Sequence, residues 1–106
     1  MSFDDSATAV VNTHTAANSG GAPTNFQGVA FDSTPTSPAA ATPHVVSHLG
    51  TLTTAQFNTF TIRRVMLHNS AAPTTSSATL IAWIDGLALT KASTFSLTAT
   101  FKLSYT

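Results

Sequence analysis

Phe95-Ser-Leu-Thr-Ala-Thr-Phe-Lys-Leu-Ser-Tyr105 decides the fold. Phe95, Leu97, Ala99, Phe101, Leu103 and Tyr105 fall on one side of an extended chain. Ser96, Thr98, Thr100, Lys102 and Ser104 fall on the other. Successive strand side chains point to opposite faces, so the pattern is that of a β-strand with one dry and one wet face. Working back from it, Thr79 to Asp85 reads as a buried strand closed by an Asp85-Gly86 turn, and Leu87 and Leu89 continue toward Phe95. Phe57 to His68 reads as a long strand whose inward face changes at Arg63-Arg64. Phe60 and Ile62 share one parity, Val65 and Leu67 the other, and a β-bulge at the two arginines would turn all four inward. His44 to His48 and Leu49 to Thr53 read as a strand broken or turned at Gly50. Asn69 to Ser77, with Pro73, is a loop.

Short strands separated by turns predict an all-β fold, a small sandwich or barrel. The core expected from this reading is Phe57, Phe60, Ile62, Val65, Leu67, Leu80, Trp83, Ile84, Leu87, Leu89, Phe95, Leu97, Phe101 and Leu103.

The first 43 residues have a different character. Ser2 with Asp5 has the spacing of a helix capping box, and Ala7, Val10, Val11 and His14 recur at helical spacing. The β-branched Thr8, Val10, Val11 and Thr13 oppose a helix, so a short helix and an extended arm both stand. Gly20-Gly21 and Pro23 end that segment. Prolines at 23, 35, 38 and 43 disfavour central strands up to residue 43, leaving one short strand within Gly28 to Asp32. The domain reading is therefore an N-terminal arm and Pro/Thr/Ala-rich segment, 1–43, followed by a β-domain, 44–106. Few large apolar residues lie in the arm, so it is expected to order only against neighbouring chains. A chain starting near Thr42 is then expected to fold alone.

Composition limits the function. In 106 residues only 8% are charged, four basic against four acidic, and the net charge is zero. An ordinary soluble domain carries about 25% charged residues. So little charge points to a surface covered by other subunits, and it gives no electrostatic footprint for nucleic acid. With no cysteine there is neither a disulfide framework nor thiolate chemistry. The N-terminal Met-Ser-Phe-Asp-Asp lacks the apolar run of a signal peptide. Leu80 to Ile84, the longest apolar run, is far too short to cross a bilayer. Synthesis in a cytoplasm, with no membrane association, is expected.

Candidate chemistry is sparse. His44 and His48 lie four apart with His68 and His14 elsewhere, but on a strand that spacing is about 13 Å, too far to share a metal ion unless the chain turns between them. Asp85 has no neighbouring carboxylate, and Asp4, Asp5 and Asp32 form no glycosidase-type pair. No nucleophile elbow, P-loop or dinucleotide fingerprint occurs. Arg63-Arg64 places one guanidinium on each face of a strand, for a carboxylate on a neighbouring chain or for solvent. Trp83 reads as core, with a sugar-stacking platform, shared with Tyr105, as the other reading. No catalytic, cofactor-binding or metal-binding residue is assigned, and the expectation is a non-enzymatic protein.

Four pieces of the chain carry a family likeness: Met1-Ser-Phe-Asp-Asp5, Thr61-Ile-Arg-Arg-Val-Met-Leu67, Leu80-Ile-Ala-Trp-Ile84 and Phe95 to Tyr105. With the small-residue stretch between the first two, this arrangement resembles small virion proteins of tailed bacteriophages, actinobacterial phages especially. Where such proteins frequently carry Gly-Asp before the last strand, this chain has Lys91-Ala-Ser-Thr94. The resemblance implies a structural virion protein of the capsid decoration, or cement, type, made in the host cytoplasm. Its partners would be the major capsid protein and copies of itself. A tail or baseplate component and a carbohydrate-binding β-sandwich are the alternatives.

Overall fold

A computed structural model describes residues 1–16, 22–33, 44–70, 73 and 78–105, the side chains of His44 and Tyr105 excepted. The described chain is all-β and antiparallel. Its strands are β1 (Ser2–Asp4), β2 (Phe26–Gly28), β3 (His44–Leu52), β4 (Thr61–Ile62), β5 (Arg64–His68), β6 (Leu80–Ile84), β7 (Leu89–Thr90) and β8 (Leu97–Tyr105). They form a four-stranded sheet in the order β2-β1-β5-β6, a long β3-β8 ribbon and a short β4-β7 ladder. Gly20-Gly21, the prolines at 35, 38 and 43 and most of the Asn69 to Ser77 loop lie outside the described residues.

β8 follows its alternation. Phe101 is buried, and Leu97, Ala99 and Leu103 pack against the core, while Thr98, Thr100, Lys102 and Ser104 are exposed. Its partner β3 runs unbroken from His44 to Leu52, in register from His44 opposite Tyr105 to Leu52 opposite Leu97. Gly50 is therefore no break. It faces inward opposite Ala99, and a Cβ there would come within 3.0 Å of both Met1 Sδ and Val29 Cγ2. The missing side chain is what lets Met1 lie across the ribbon.

The Arg63-Arg64 region changes sheets as well as phase. β4 pairs with β7, the ladder lapses at Arg63, and β5 then pairs with β1 on one side and β6 on the other. The Arg63 amide donates to the Asp4 carbonyl, and the Leu87 amide to the Arg63 carbonyl. Ile62, Val65 and Leu67 all reach the core through this step, whereas Phe60 does not.

The N-terminal segment departs from the arm reading. Neither a helix nor a free extended arm forms at its start: Ser2–Asp4 is an inner strand, flanked by β2 and β5, and Met1, Ser2, Phe3 and Asp4 are all buried. Phe26–Gly28, slightly earlier than the expected Gly28 to Asp32 strand, forms the outer strand beside it. Met1, Phe3 and Val29 join Leu52, Phe57, Ile62, Val65, Leu67 and Phe101 in one cluster between the four-stranded sheet and the β3-β8 ribbon.

Several residues assigned to the core lie at the surface instead. Phe60, Ile84, Leu89 and Phe95 are 42–48% exposed and Leu80 and Trp83 half-buried, whereas Leu87, also half-buried, packs against the core as expected. The reason is position: β6 is an edge strand, and the two-residue β4-β7 ladder is too small to be covered on both faces.

The turn leading into β4 holds Phe57 at φ 54° and Thr59 at φ 69°. For a β-branched residue that left-handed conformation is strained. The Thr59 amide is held by the Lys91 carbonyl at 2.9 Å, and the Lys91 ammonium reaches Asn58 Oδ1 at 2.7 Å. Thr59→Gly is expected to raise stability by about 0.5–1 kcal/mol, relief of strain exceeding the added chain entropy. A urea midpoint equal to or below that of the parent would show the turn to be unstrained.

Candidate interaction surface

Among the described residues, the most deeply buried polar side chains meet on the second face of the four-stranded sheet. Register places Ser2 beside Met66 and Asp4 beside Arg64, all pointing away from the apolar cluster. The Asp4 carboxylate accepts from Arg64 Nε at 2.8 Å and Nη2 at 2.7 Å, a bidentate pair with both side chains fully buried. Arg64 Nη1 also donates to the Thr8 carbonyl, so the chain after β1 caps the pair.

Next to it, Ser2 Oγ lies 2.6 Å from His68 Nε2, and His68 Nδ1 lies 3.1 Å from the Ala78 carbonyl. A carbonyl only accepts, so Nδ1 carries the proton and the Ser2 hydroxyl donates to Nε2. The arrangement has the hydrogen bonds of an activated serine, but Ser2 and His68 are buried, with the Phe26 ring edge-on to the imidazole. A nucleophile needs access to substrate, and this one has none. Its role is to satisfy polar groups inside the sheet.

Burial pushes the His68 pKa down, against the opposing effect of its hydrogen bond to Ala78. Burial likewise lowers the Met1 amino group, which donates to the Val29 carbonyl, to about 6. The unfolded chain therefore binds more protons than the folded one at its amino group below about pH 8 and at His68 below about pH 6.5, and stability falls as pH falls through that range. The melting temperature is expected to drop between neutral pH and pH about 5. His68→Gln should flatten that slope, and an equal slope in both proteins would remove His68 from the effect.

The remaining charges are mostly occupied. Asp5 accepts from the Thr24 and Asn25 amides and from Asn25 Nδ2, tying the chain before β2 to the end of β1. Burial raises its pKa, but the hydrogen bonds from Asn25 and Thr24 outweigh that and leave it lowered. Asp32 accepts from Thr51 Oγ1, and Asp85 Oδ2 from the Val10 amide. Lys91, almost fully buried, donates to Asn58 and to the Ala92 carbonyl and lies 5.9 Å from the Phe95 ring centre. Arg63 is half-buried and Lys102 exposed.

The histidines are scattered. His14 sits in a turn, His68 in the sheet, and His48 against Phe31 with its Nδ1 buried and unpartnered among the described residues. The His44 side chain is outside the described residues. Among the described residues no three His, Cys, Asp or Glu side chains group to hold a metal ion.

Among the described residues several large apolar side chains are exposed. Phe60, Leu89 and Phe95 stand exposed around the β4-β7 ladder. Ile62, Leu89, Thr90, Lys91, Phe95 and Leu97 line a hollow of about 90 Å³ there. Ile81 and Ile84 are about half exposed on β6, where Trp83 is half-buried, and Val11 is exposed on the chain after β1. Tyr105, the other proposed stacking residue, has a side chain outside the described residues. Hydropathy alone sent Phe60, Leu89 and Phe95 to the core. The low charge of the whole chain was the available sign that some apolar side chains would stay outside. Comparison with protein-family models, with curated proteins and with solved structures finds no match.

Proposed function

We propose that this chain is a structural virion protein, a capsid decoration subunit that binds the assembled shell of a tailed phage through uncharged, apolar contacts. The observation that carries the reading is the Phe60, Leu89 and Phe95 surface beside its hollow, on a molecule with few exposed charges. Contiguous exposed apolar groups mark interaction sites, and permanent interfaces are the more hydrophobic ones. The resemblance of the four sequence pieces to small phage virion proteins supplies the identity of the partner, the major capsid protein. The mechanism is mass action: a subunit that binds only the assembled lattice shifts the equilibrium toward it. No reaction is assigned to it.

The test is co-sedimentation of the purified chain with phage heads, followed by imaging of the particle. Leu89→Ser with Phe95→Ser, both at exposed positions, should weaken binding at least about tenfold, the loss of roughly 1.4 kcal/mol. Undiminished binding by the double variant, or density for the chain on the tail alone, defeats the decoration reading. Glycan binding abolished by Trp83→Ala would favour the carbohydrate-binding alternative.

A further inference from the structure

We infer that the outer edge of β8 is a docking site for a second copy of this chain, joined β8 to β8 in antiparallel fashion about a twofold axis. The inference does not depend on the virion reading. It starts from how the other sheet edges are treated. β6 is met at its start by the chain after β1, through the Leu80 amide to the Thr15 carbonyl and a bridge between Ala16 and Thr79. Val10 is fastened to Asp85 just beyond its end, and a register shift at Leu67/His68 interrupts its ladder. On β3 the Leu49 carbonyl accepts the Asp32 amide. β2 is only three residues long.

Among the described residues, no such contact covers the outer edge of β8. It is nine residues long, and among the described residues it pairs with β3 alone. Natural sheets blunt a free edge with proline, bulges, a short strand or charged side chains, lysine especially, and Lys102 is the one such device on β8. From Phe95 to Tyr105 there is no proline and no glycine, and Lys102 is the only charge. The ribbon is only two strands wide. Pairing two copies makes it four strands wide, β3-β8-β8-β3.

The occupant follows from the strand's own pattern. Centred on Phe101, a twofold ladder puts Ala99 opposite Leu103 of the second copy and Leu97 opposite Tyr105. Apolar meets apolar, and the hydroxyl face stays continuous. Lys102 then faces Thr100 of the second copy, so no like charges meet. The contact is isologous and closes at two subunits.

That register gives a charge test at exposed side chains that leaves the monomer fold alone. Sedimentation equilibrium of the full chain should show a monomer–dimer equilibrium, with β8 amides gaining exchange protection as concentration rises. Thr100→Lys sets two lysine pairs against each other and should weaken dimerisation by about tenfold. Adding Lys102→Glu to Thr100→Lys turns both pairs attractive and should restore it. A parent chain that stays monomeric at high micromolar concentration overturns the proposal. So does a dimer indifferent to Thr100→Lys, or one lost in Leu89→Ser and not in Thr100→Lys, which would place the contact on the β4-β7 surface.

Discussion

Asp4→Ala should destabilise the fold by about 3–5 kcal/mol, because it leaves the Arg64 guanidinium buried without its anion. The carboxylate receives two of the guanidinium's hydrogen bonds, at 2.8 and 2.7 Å, and both side chains are fully buried. With the carboxylate gone, a charge removed from water loses its only described anion, and neutral acceptors such as the Thr8 carbonyl do not replace its solvation. The pair itself need not be a net stabiliser. Asp4→Leu with Arg64→Met, which fills the same space with apolar groups, should recover most of the loss. Urea unfolding of the parent, the single and the double variant reads both effects. A single variant within about 1 kcal/mol of the parent would mean that water reaches the site.

Removal of Met1 to Asp4 should abolish cooperative folding altogether. These residues supply the inner strand between β2 and β5, so both neighbours lose a ladder. Met1 and Phe3 are fully buried, and two such side chains contribute about 3–6 kcal/mol. Arg64 loses its carboxylate as well, at the cost given above. Together these losses match the whole stability of an ordinary domain, about 5–15 kcal/mol. For the same reason a chain starting near Thr42, expected from composition to fold alone, should lack dispersed amide resonances. A sharp thermal transition in either truncation would show that the β3-β8 ribbon with β5 and β6 is self-sufficient.

β8 was readable because both its faces obey one rule: from Leu97 to Ser104 every inward residue is apolar and every outward one polar. The switch at Arg63-Arg64 was readable for a related reason, a change of parity within one apolar run. β1 was not. It is three residues long, too short for a period to show, and its polar face is buried, so Ser2 with Asp5 read as a helix cap. The partner that keeps Asp4 inside lies sixty residues away in sequence. Gly50 misled in a different manner: a glycine in a strand signals a bend, and here it marks the place where Met1 crosses. The surface around Phe60, Leu89 and Phe95 was hidden because hydropathy does not distinguish a side chain facing the core from one facing a partner. The buried Ser2–His68 contact had no local signal, since it joins two residues by fold alone.

The placement of β1 also sets when this protein can exist at all. β1 is made first and pairs with β5, whose Arg64 follows Asp4 by sixty positions, and β3 pairs at His44 with Tyr105 near the other end. During vectorial synthesis the earliest strand therefore waits unpaired while most of the chain is added. The long ribbon closes only when the last strand has been released. Topologies built on such distant pairings fold in milliseconds to seconds and not in microseconds. The tempo of folding is thus governed by the emergence of β8 and by loop closure, so termination anywhere before β8 should yield no partial domain, only a chain for the cell's proteases to clear.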